Sequence, residues 1–489
     1  ARSSVGITTS IASFRGAVRS DIGVTFDGRY SPFYTRGRGR AIGQEGGRMV
    51  DDADLTIAQR LAALWGSLGL QRAHVATQMA GDLAGFAQRY ADRLAGVVLC
   101  VPARLDPAPF AAVADRLVMI AGERGLTAEA TARAAARLPG SRRVVLADYD
   151  APGWADVVAE RTAEIGSVLE SLTPILPDAG LAACQRVHAG ITYKVEGQGP
   201  PLVLFPFFLA PSQWEPVIPR LARRFTVITL GGRHLGGIAA LEDRAQGPSY
   251  QGMVRTLLDV IAPAPGDAIL DVGCGSGAVD RMLMRRLPAG TRLTATDINP
   301  FLLKEAASLA EQEGLSKVIR FLPANAEALP FPDQSFDHAF TVTVLEECDA
   351  DRALAELFRV VRPGGRVGVI VRSIDLPQWW HLDLPESIRA KVDQPPPSVG
   401  PKGIADASLY SRMRAAGFVG MRCFPSLVTF DNPDGPIWKY REDHVLSLLS
   451  PEETVLWQQL ASAARRDGLL FMAHPMHCAV GTRPATSAN

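Results

Sequence analysis

No apolar run in this chain is long enough to cross a bilayer. The longest, Pro200 to Pro211, is far short of the roughly 20 residues that a spanning helix needs, so no membrane span is expected. Excess charge of either sign is also missing. The 51 Lys and Arg balance 51 Asp and Glu, which argues against a nucleic-acid partner and against an anionic membrane surface. Cysteine is scarce and scattered, at Cys100, Cys184, Cys274, Cys348, Cys423 and Cys478. Without a C-x-x-C pair, neither a zinc site nor a disulfide framework is indicated, and a reducing, cytoplasmic setting is the default expectation. What remains is an ordinary globular composition, 47% hydrophobic and 21% charged, at a length that suits two to four domains. The first twenty residues carry Arg2, Arg15 and Arg19 and no acid, a faint likeness to a transit peptide, although a frayed or truncated edge is the better reading. The chain starts at Ala1, so an initiator Met was removed or the chain is a fragment.

The most informative segment is Ala268 to Gly277, AILDVGCGSG. An apolar run that reads as a buried strand ends in Asp271, and Gly273, Gly275 and Gly277 follow at alternate positions before a helical stretch, Val279 to Leu287. Strand, glycine turn and helix bring backbone close to a nucleotide in an α/β sheet. The spacing is G-x-G-x-G, not the G-x-G-x-x-G of dinucleotide folds. Asp271 would repel a pyrophosphate and suits a cationic ligand such as S-adenosylmethionine, which carries an ammonium and a sulfonium. Asp297 ends the next apolar run, Leu293 to Thr296, where a carboxylate can accept both hydroxyls of a ribose. Asn325-Ala326-Glu327-Ala328-Leu329-Pro330-Phe331 follows. Ser335-Phe336-Asp337 then leads into a fourth apolar run, Ala339 to Leu345.

Residues ~245–489 resemble the class I S-adenosylmethionine-dependent methyltransferases, in particular the group that includes ubiquinone and menaquinone methyltransferases. Asp271, Gly273, Gly275 and Gly277 match that family's first motif, and Asp297 matches its ribose-binding acid. The stretch from Asn325 and Ala326 to Phe331 matches its adenine-side motif, where Asp is more usual; an Asn can still accept a hydrogen bond through its side-chain oxygen. Arg362-Pro363-Gly364-Gly365 matches the turn before a fifth strand, Arg366 to Val371. The resemblance implies a Rossmann-like domain, S-adenosylmethionine as cofactor, and Ile298 and Thr343 beside the cofactor as well.

Before this domain, strand-like runs at Ile22–Phe26, Ala73–Thr77, Gly96–Val101, Arg116–Ala121 and Arg143–Ala147 alternate with helical patterns at Asp54–Leu68, Asp82–Leu94, Ala128–Leu138 and Val157–Leu172. Such alternation argues for a parallel α/β sheet. The order resembles the later half of an α/β-hydrolase. Ala73 to Gly81 falls at that family's nucleophile elbow, G-x-S-x-G, but Ala76 and Ala80 replace the glycines and Gln78 the nucleophile. Only Glu123 stands where an acid is expected, and no His follows at Asp148 to Trp154, so the resemblance implies a degenerate, inactive hydrolase. His74 reads as a packed core histidine. Residues 188–237 look like the first strands of the same fold, with a helix at Trp214–Arg224 and a strand at Phe225–Leu230. Either the domain is circularly permuted or two partial copies abut. One sheet is favoured, because an isolated three-stranded fragment would leave open edges.

The expected organisation is therefore α/β throughout, with an α/β-hydrolase-like domain over 1–240 and a methyltransferase domain over 245–489. The link near 238–250 carries Gly247-Pro248, a boundary signal, and Met253 to Ile261 reads as the helix that follows. Methyl transfer needs a general base only if the acceptor atom must lose a proton. Glu346 and Glu347, at the end of the fourth strand, and His381, after Trp379-Trp380, are the candidates. The tryptophans read as packing or as an acceptor wall, and Asp393 to Pro401 as a stiff loop or lid. His474 and His477 lack further ligands for a metal, so none is expected. The leading reading is a methyltransferase acting on a small organic acceptor, with room for a homo-oligomer. The alternatives are a bifunctional hydrolase-methyltransferase and a non-catalytic, ligand-sensing cofactor-binding protein.

Overall fold

Two sheets, one from each half of the chain, carry the residues that the computed structural model describes: 55–150, 156–397 and 399–485. All of them belong to one compact unit, residues 51–489. The strand expected at Ile22–Phe26, the basic first twenty residues and the start of the helix expected from Asp54 lie outside the described residues.

The first sheet contains β1 (Ala73–Thr77), β2 (Leu94–Cys100), β3 (Leu117–Gly122), β4 (Arg142–Leu146), β5 (Cys184–His188), β6 (Ile191–Glu196), β7 (Pro201–Leu204) and β8 (Thr226–Gly231). Their spatial order is β4-β3-β2-β1-β7-β8-β6-β5. β6 runs against the direction of the other seven strands, antiparallel to both β5 and β8. The runs from both segments thus join one sheet, through the parallel pairing of β1 with β7. β1, β2, β3, β7 and β8 are buried along their whole length, as expected of parallel strands covered on both faces. One face is covered by α1 (Ile57–Ser67), α2 (Ala80–Arg89) and α3 (Gly125–Arg137). The other is covered by α4 (Val157–Glu160), α5 (Thr162–Glu170) and α6 (Ile218–Leu221).

Several helices are shorter than the sequence suggests. The one expected to reach Leu94 stops at Arg89, and Leu94 opens β2. The helix expected at Val157–Leu172 breaks at Arg161, whose φ of −135° is not helical. Trp214–Arg224 yields a 3₁₀ turn and the single-turn α6, because Pro216 and Pro219 lack the N–H groups a continuous helix requires.

The second sheet contains β9 (Ala268–Val272), β10 (Arg292–Asp297), β11 (Ile319–Pro323), β12 (Phe336–Val342), β13 (Val361–Arg372), β14 (Trp379–Trp380), β15 (Val419–Cys423), β16 (Ser426–Phe430) and β17 (Met472–Thr482). The order β11-β10-β9-β12-β13-β17-β14, with β15 and β16 also paired to β17, is Rossmann-like. Strands β9 to β13 are parallel and β17 is antiparallel to β13. The helices are α7 (Ile238–Gln246), α8 (Pro248–Ile261), α9 (Ala278–Met284), α10 (Pro300–Gln312), α11 (Ala350–Val360), α12 (Glu386–Val392), α13 (Ser408–Ala415), α14 (Pro436–Leu448) and α15 (Pro451–Arg466). α8 buries Tyr250, Met253, Val254, Leu257, Leu258 and Ile261, the spacing of one helical face.

The stretch expected as an open link near 238–250 is helical. Ile238, Ala239, Glu242 and Ala245 form the buried face of α7, and Pro248 occupies the first turn of α8, where a missing N–H costs nothing. The two sheets meet through polar contacts: Glu305 accepts the Gly232 amide at 3.0 Å, Arg233 pairs with Glu313 at 2.6 Å and Lys304 with Glu215 at 2.6 Å. Among the described residues, no helix is long and apolar enough to cross a membrane.

Candidate active site

A cleft of about 430 Å³ lies at the carboxyl ends of β9, β10 and β12, within the usual range for small-molecule sites. Asp271, Gly273, Gly275, Asp297, Ile298, Asn325, Ala326, Thr343 and Glu347 line it. The sequence also singles out Gly277, which caps α9 just behind the cleft.

The glycine turn is built so that backbone can approach a ligand. Gly273 has φ +85°, and a Cβ there would come within 2.1 Å of Val344. Gly273 and Cys274 both donate to Thr296 O, at 2.7 and 2.8 Å, which fixes the turn to β10. Thr343, just past β12, sits at φ +58°, a genuine outlier for a β-branched residue and a form of strain that clusters at functional sites. It also explains why β12 ends at Val342 and not at Leu345.

Asp271 is 3% exposed, and its Oδ1 has no hydrogen-bond partner. Burial, reinforced by the nearby Asp280 carboxylate, pushes its pKa well above the ordinary range. Burial also raises Asp280, to about 7. A buried acid pair with unmet acceptor capacity is a site that a cation completes. Asp297 accepts from Gly275 N and Asn299 N, each at 2.9 Å, and desolvation raises its pKa. Each carboxylate oxygen can take a further bond. The Asn325 side-chain oxygen accepts from Glu327 N at 2.9 Å, so a ligand would share it.

The three candidate bases separate. Glu347 reaches the cleft and is largely exposed. Glu346 is fully buried beneath it: Oε1 accepts Arg372 N at 2.8 Å, and burial raises its pKa. Gly400 N and Gly403, from the Pro-rich segment, pack against the Glu346 carbonyl, so that loop is pinned to the end of β12. The structure does not bring His381 to the cleft. It follows the edge strand β14, with Nδ1 2.7 Å from Leu469 O and its ring stacked on Phe471. Trp380 is fully buried, with T-shaped contacts to Trp438 and Trp457, so it is core and not an acceptor wall. His474 and His477, an odd number of residues apart on β17, point to opposite faces. Among the described residues no side-chain cluster suits a metal.

Other cleft residues were not legible as such. Leu241, Arg244 and Ala245 on α7, and Tyr250 on α8, line it as well. Beneath the turn, Glu242 accepts from Ser276 Oγ and pairs with Arg281, both at 2.6 Å. The apolar spacing of Ile238, Ala239 and Ala245 was the available signal for α7.

At the position that the sequence likens to an elbow, the Gln78 carboxamide oxygen accepts the Phe208 amide at 2.9 Å. Gln78 is absent from the left-handed φ residues, so the strained nucleophile geometry of an elbow is not formed. Glu123 is engaged by Asp148 N at 2.8 Å. His74 is buried, with Nε2 2.9 Å from Pro174 O, as a core histidine should be.

Residues 270–369 match a family model described as a methyltransferase domain. Among curated proteins, the chain is 36% identical over 118 residues to the ubiquinone/menaquinone biosynthesis C-methyltransferase UbiE of Legionella pneumophila, covering 24% of this chain and 47% of that one. It is also 36% identical over 140 residues to the uncharacterized protein Rv1405c of Mycobacterium tuberculosis, covering 28% and 47%. The chain thus spans about half the length of the curated relatives it matches. Among solved structures, the YcgJ protein of Bacillus subtilis aligns with 48% of this chain and 99% of its own, at 17% identity and a TM-score of 0.34.

Proposed function

We propose that this chain, whose residues 270–369 carry a class I methyltransferase domain, transfers a methyl group from S-adenosylmethionine to a small organic acceptor. The observation that carries the reading is the buried Asp271 with an unmet oxygen, set beside a glycine turn that tolerates no Cβ, at the head of a cleft of matching size. When bound, S-adenosylmethionine supplies an electrophilic methyl on a cationic sulfur. Asp271 would hold the ammonium. Asp297 would accept the ribose hydroxyls while keeping the Gly275 turn in place, and Asn325 with Ala326 would border the base. Ile298, which is 70% exposed, would cover the ribose from the solvent side. Thr343 and Glu347 stand at the lip of β12, where the acceptor must enter. There Glu347 is the accessible base, and Glu346 acts through its hold on Arg372. Most of the catalysis is alignment of methyl and acceptor in a partly dry cleft.

The first sheet we read as a degenerate, circularly permuted α/β-hydrolase. What supports this is that its strands, taken as β5-β6-β8-β7-β1-β2-β3-β4, place the antiparallel strand second and the Gln78 elbow after the central strand. The domain division would then be 1–240 and 245–489, with α7 bridging them. The chain should show no aryl-ester turnover above background.

Calorimetry tests the cofactor: S-adenosylmethionine and its demethylated product should both bind. Incubation with methyl-labelled cofactor and cell extract tests the transfer, with label expected in a small organic product. An absence of cofactor binding would sink the reading.

A further inference from the structure

Near the cleft lies a concentration of cationic side chains, and Arg441, His474 and Arg244 keep buried donor nitrogens without a hydrogen-bond partner. Arg441, on the inner face of α14, is 5% exposed, and its Nε and Nη1 have no hydrogen-bond partner. His474, near the start of β17, is 2% exposed, and both ring nitrogens are unpartnered. Arg244 lines the cleft itself and stacks on the ring of Tyr250 at 5.1 Å, leaving a buried Nε unpartnered. Arg372 ends β13, and its backbone and guanidinium both engage Glu346.

These groups sense one another. After burial, the charges of Arg372 and Arg244 lower Arg441, to about 10. After burial, Arg441 and Arg372 lower His474. Of the acidic groups that face this cluster, Glu346 is held by Arg372, and Asp271 belongs to the cofactor end of the cleft. Arg372 is committed to Glu346 and, at 3.5 Å, to Glu347, which leaves Arg441 and Arg244 without a carboxylate of their own among the ion pairs of the described residues. A buried guanidinium with two orphaned N–H groups is costly unless something completes it. The ring of Tyr440, 5.9 Å from Arg441, offers only a weak cation–π contact. The cluster lies past the carboxyl end of β13, where Arg372 is in register with Met476 of β17, and Arg244 is the member that lines the cleft.

We propose that the methyl acceptor bears an anionic oxygen group, a carboxylate or a phosphate, which Arg441 and Arg244 bind with His474 as a further donor. This rests on the methyltransferase reading and deepens it. The planar fork of Arg441 is suited to two-point recognition of either oxyanion. The anion fixes one end of the acceptor, and the remainder extends toward Thr343 and Glu347 at the lip of β12.

The test uses the full chain saturated with S-adenosylhomocysteine. Benzoate and benzamide form one pair of probes, phenyl phosphate and phenol the other, with binding followed by calorimetry. At least one anion should bind tenfold or more tightly than its neutral counterpart, and the pair that discriminates identifies carboxylate or phosphate. Arg441→Met should lose at least tenfold in that affinity, keep its S-adenosylhomocysteine affinity within twofold, and melt no lower than the parent, since an uncompensated buried charge is gone. Arg244→Gln should also lose anion affinity. Equal binding of anion and neutral probes overturns the proposal. So does retained anion affinity in Arg441→Met, or a melting temperature lowered by several degrees, which would make Arg441 structural. Failure of the parent chain to bind S-adenosylhomocysteine fails the methyltransferase reading itself, and this proposal with it.

Discussion

Asp297 Oδ2 accepts the backbone N–H of Gly275 at 2.9 Å, so the acid that ends β10 also holds the glycine turn that ends β9. One side chain thereby shapes the cleft and, in the proposed complex, contacts the ribose. Asp297→Ala should weaken S-adenosylmethionine binding by about 1–3 kcal/mol, through unpaired ribose hydroxyls and a loosened turn. Asp297→Asn keeps one acceptor oxygen and should lose less. Calorimetry on both variants decides the matter; equal affinity in the alanine variant would remove Asp297 from the cofactor site.

Asp271 and Asp280 should make the proposed cofactor binding pH-dependent. Burial raises both, Asp280 to about 7, so below neutrality the pair retains a proton. A cation beside Asp271 favours the ionised pair, so binding should release a proton. Affinity should rise as pH increases through about 7, where Asp280 ionises, and go on rising until Asp271, which is also raised, has lost its proton. The stability of the unliganded chain should run the other way: folded values above the unfolded ones mean that stability falls as pH rises from the usual carboxylate range through about 7. Calorimetry in two buffers of different ionisation enthalpy measures the proton directly. Asp280→Asn should flatten both profiles.

Strand positions were legible because apolar runs such as Ile269–Val272 and Val227–Leu230 are buried on both faces, and nothing in their neighbourhood competes with that pattern. The proposed cofactor residues Asp271, Gly273 and Asp297, which the structure brings to one cleft, were legible because a strand end, an acid and a turn glycine are a local signal. α7 was not, since Gly247-Pro248 reads as a break, yet Pro248 only starts the next helix. Arg441 gave no signal, and His474 was noticed only as a metal candidate without further ligands. They come from α14 and β17, and only tertiary packing shows that their donors are unmet. His381 failed as a candidate for the complementary reason: proximity in sequence to the fifth strand does not fix the direction of the chain after it.

Trp380 illustrates how packing claims a residue that sequence leaves open. Its ring centroid lies 5.3 Å from that of Trp438 and 5.0 Å from that of Trp457, in a cluster formed by α12, α14 and α15 with β14. Trp380→Ala should destabilise the fold by about 3–5 kcal/mol, the cost of a large core cavity. The expected result is a lower melting temperature with S-adenosylmethionine affinity retained at temperatures where the variant stays folded. An unchanged melting point would return the residue to the acceptor-wall category.

The last prediction concerns the ion pair beneath the glycine turn. Glu242 and Arg281 are each 3% exposed and 2.6 Å apart. Glu242 also accepts from Ser276 Oγ, while Arg281 donates to Ser276 O at 2.6 Å and pairs with Glu313 at 3.1 Å. The pair thus fixes Ser276 from both its side chain and its backbone. Glu242→Ala takes one of two carboxylate partners from the buried Arg281, Glu313 remaining, and should cost about 1.5–3 kcal/mol, the worth of a charged hydrogen bond. It should weaken cofactor binding as well, because Ser276 loses its anchor. Adding Arg281→Met to that variant removes a buried charge that has lost one of its two partners and should restore part of the stability, a coupling that a double-mutant cycle reads out. Cofactor affinity should not recover in the double variant, since Ser276 then lacks both partners. If stability and affinity recover together, the network serves the fold alone and the turn needs no support from α7.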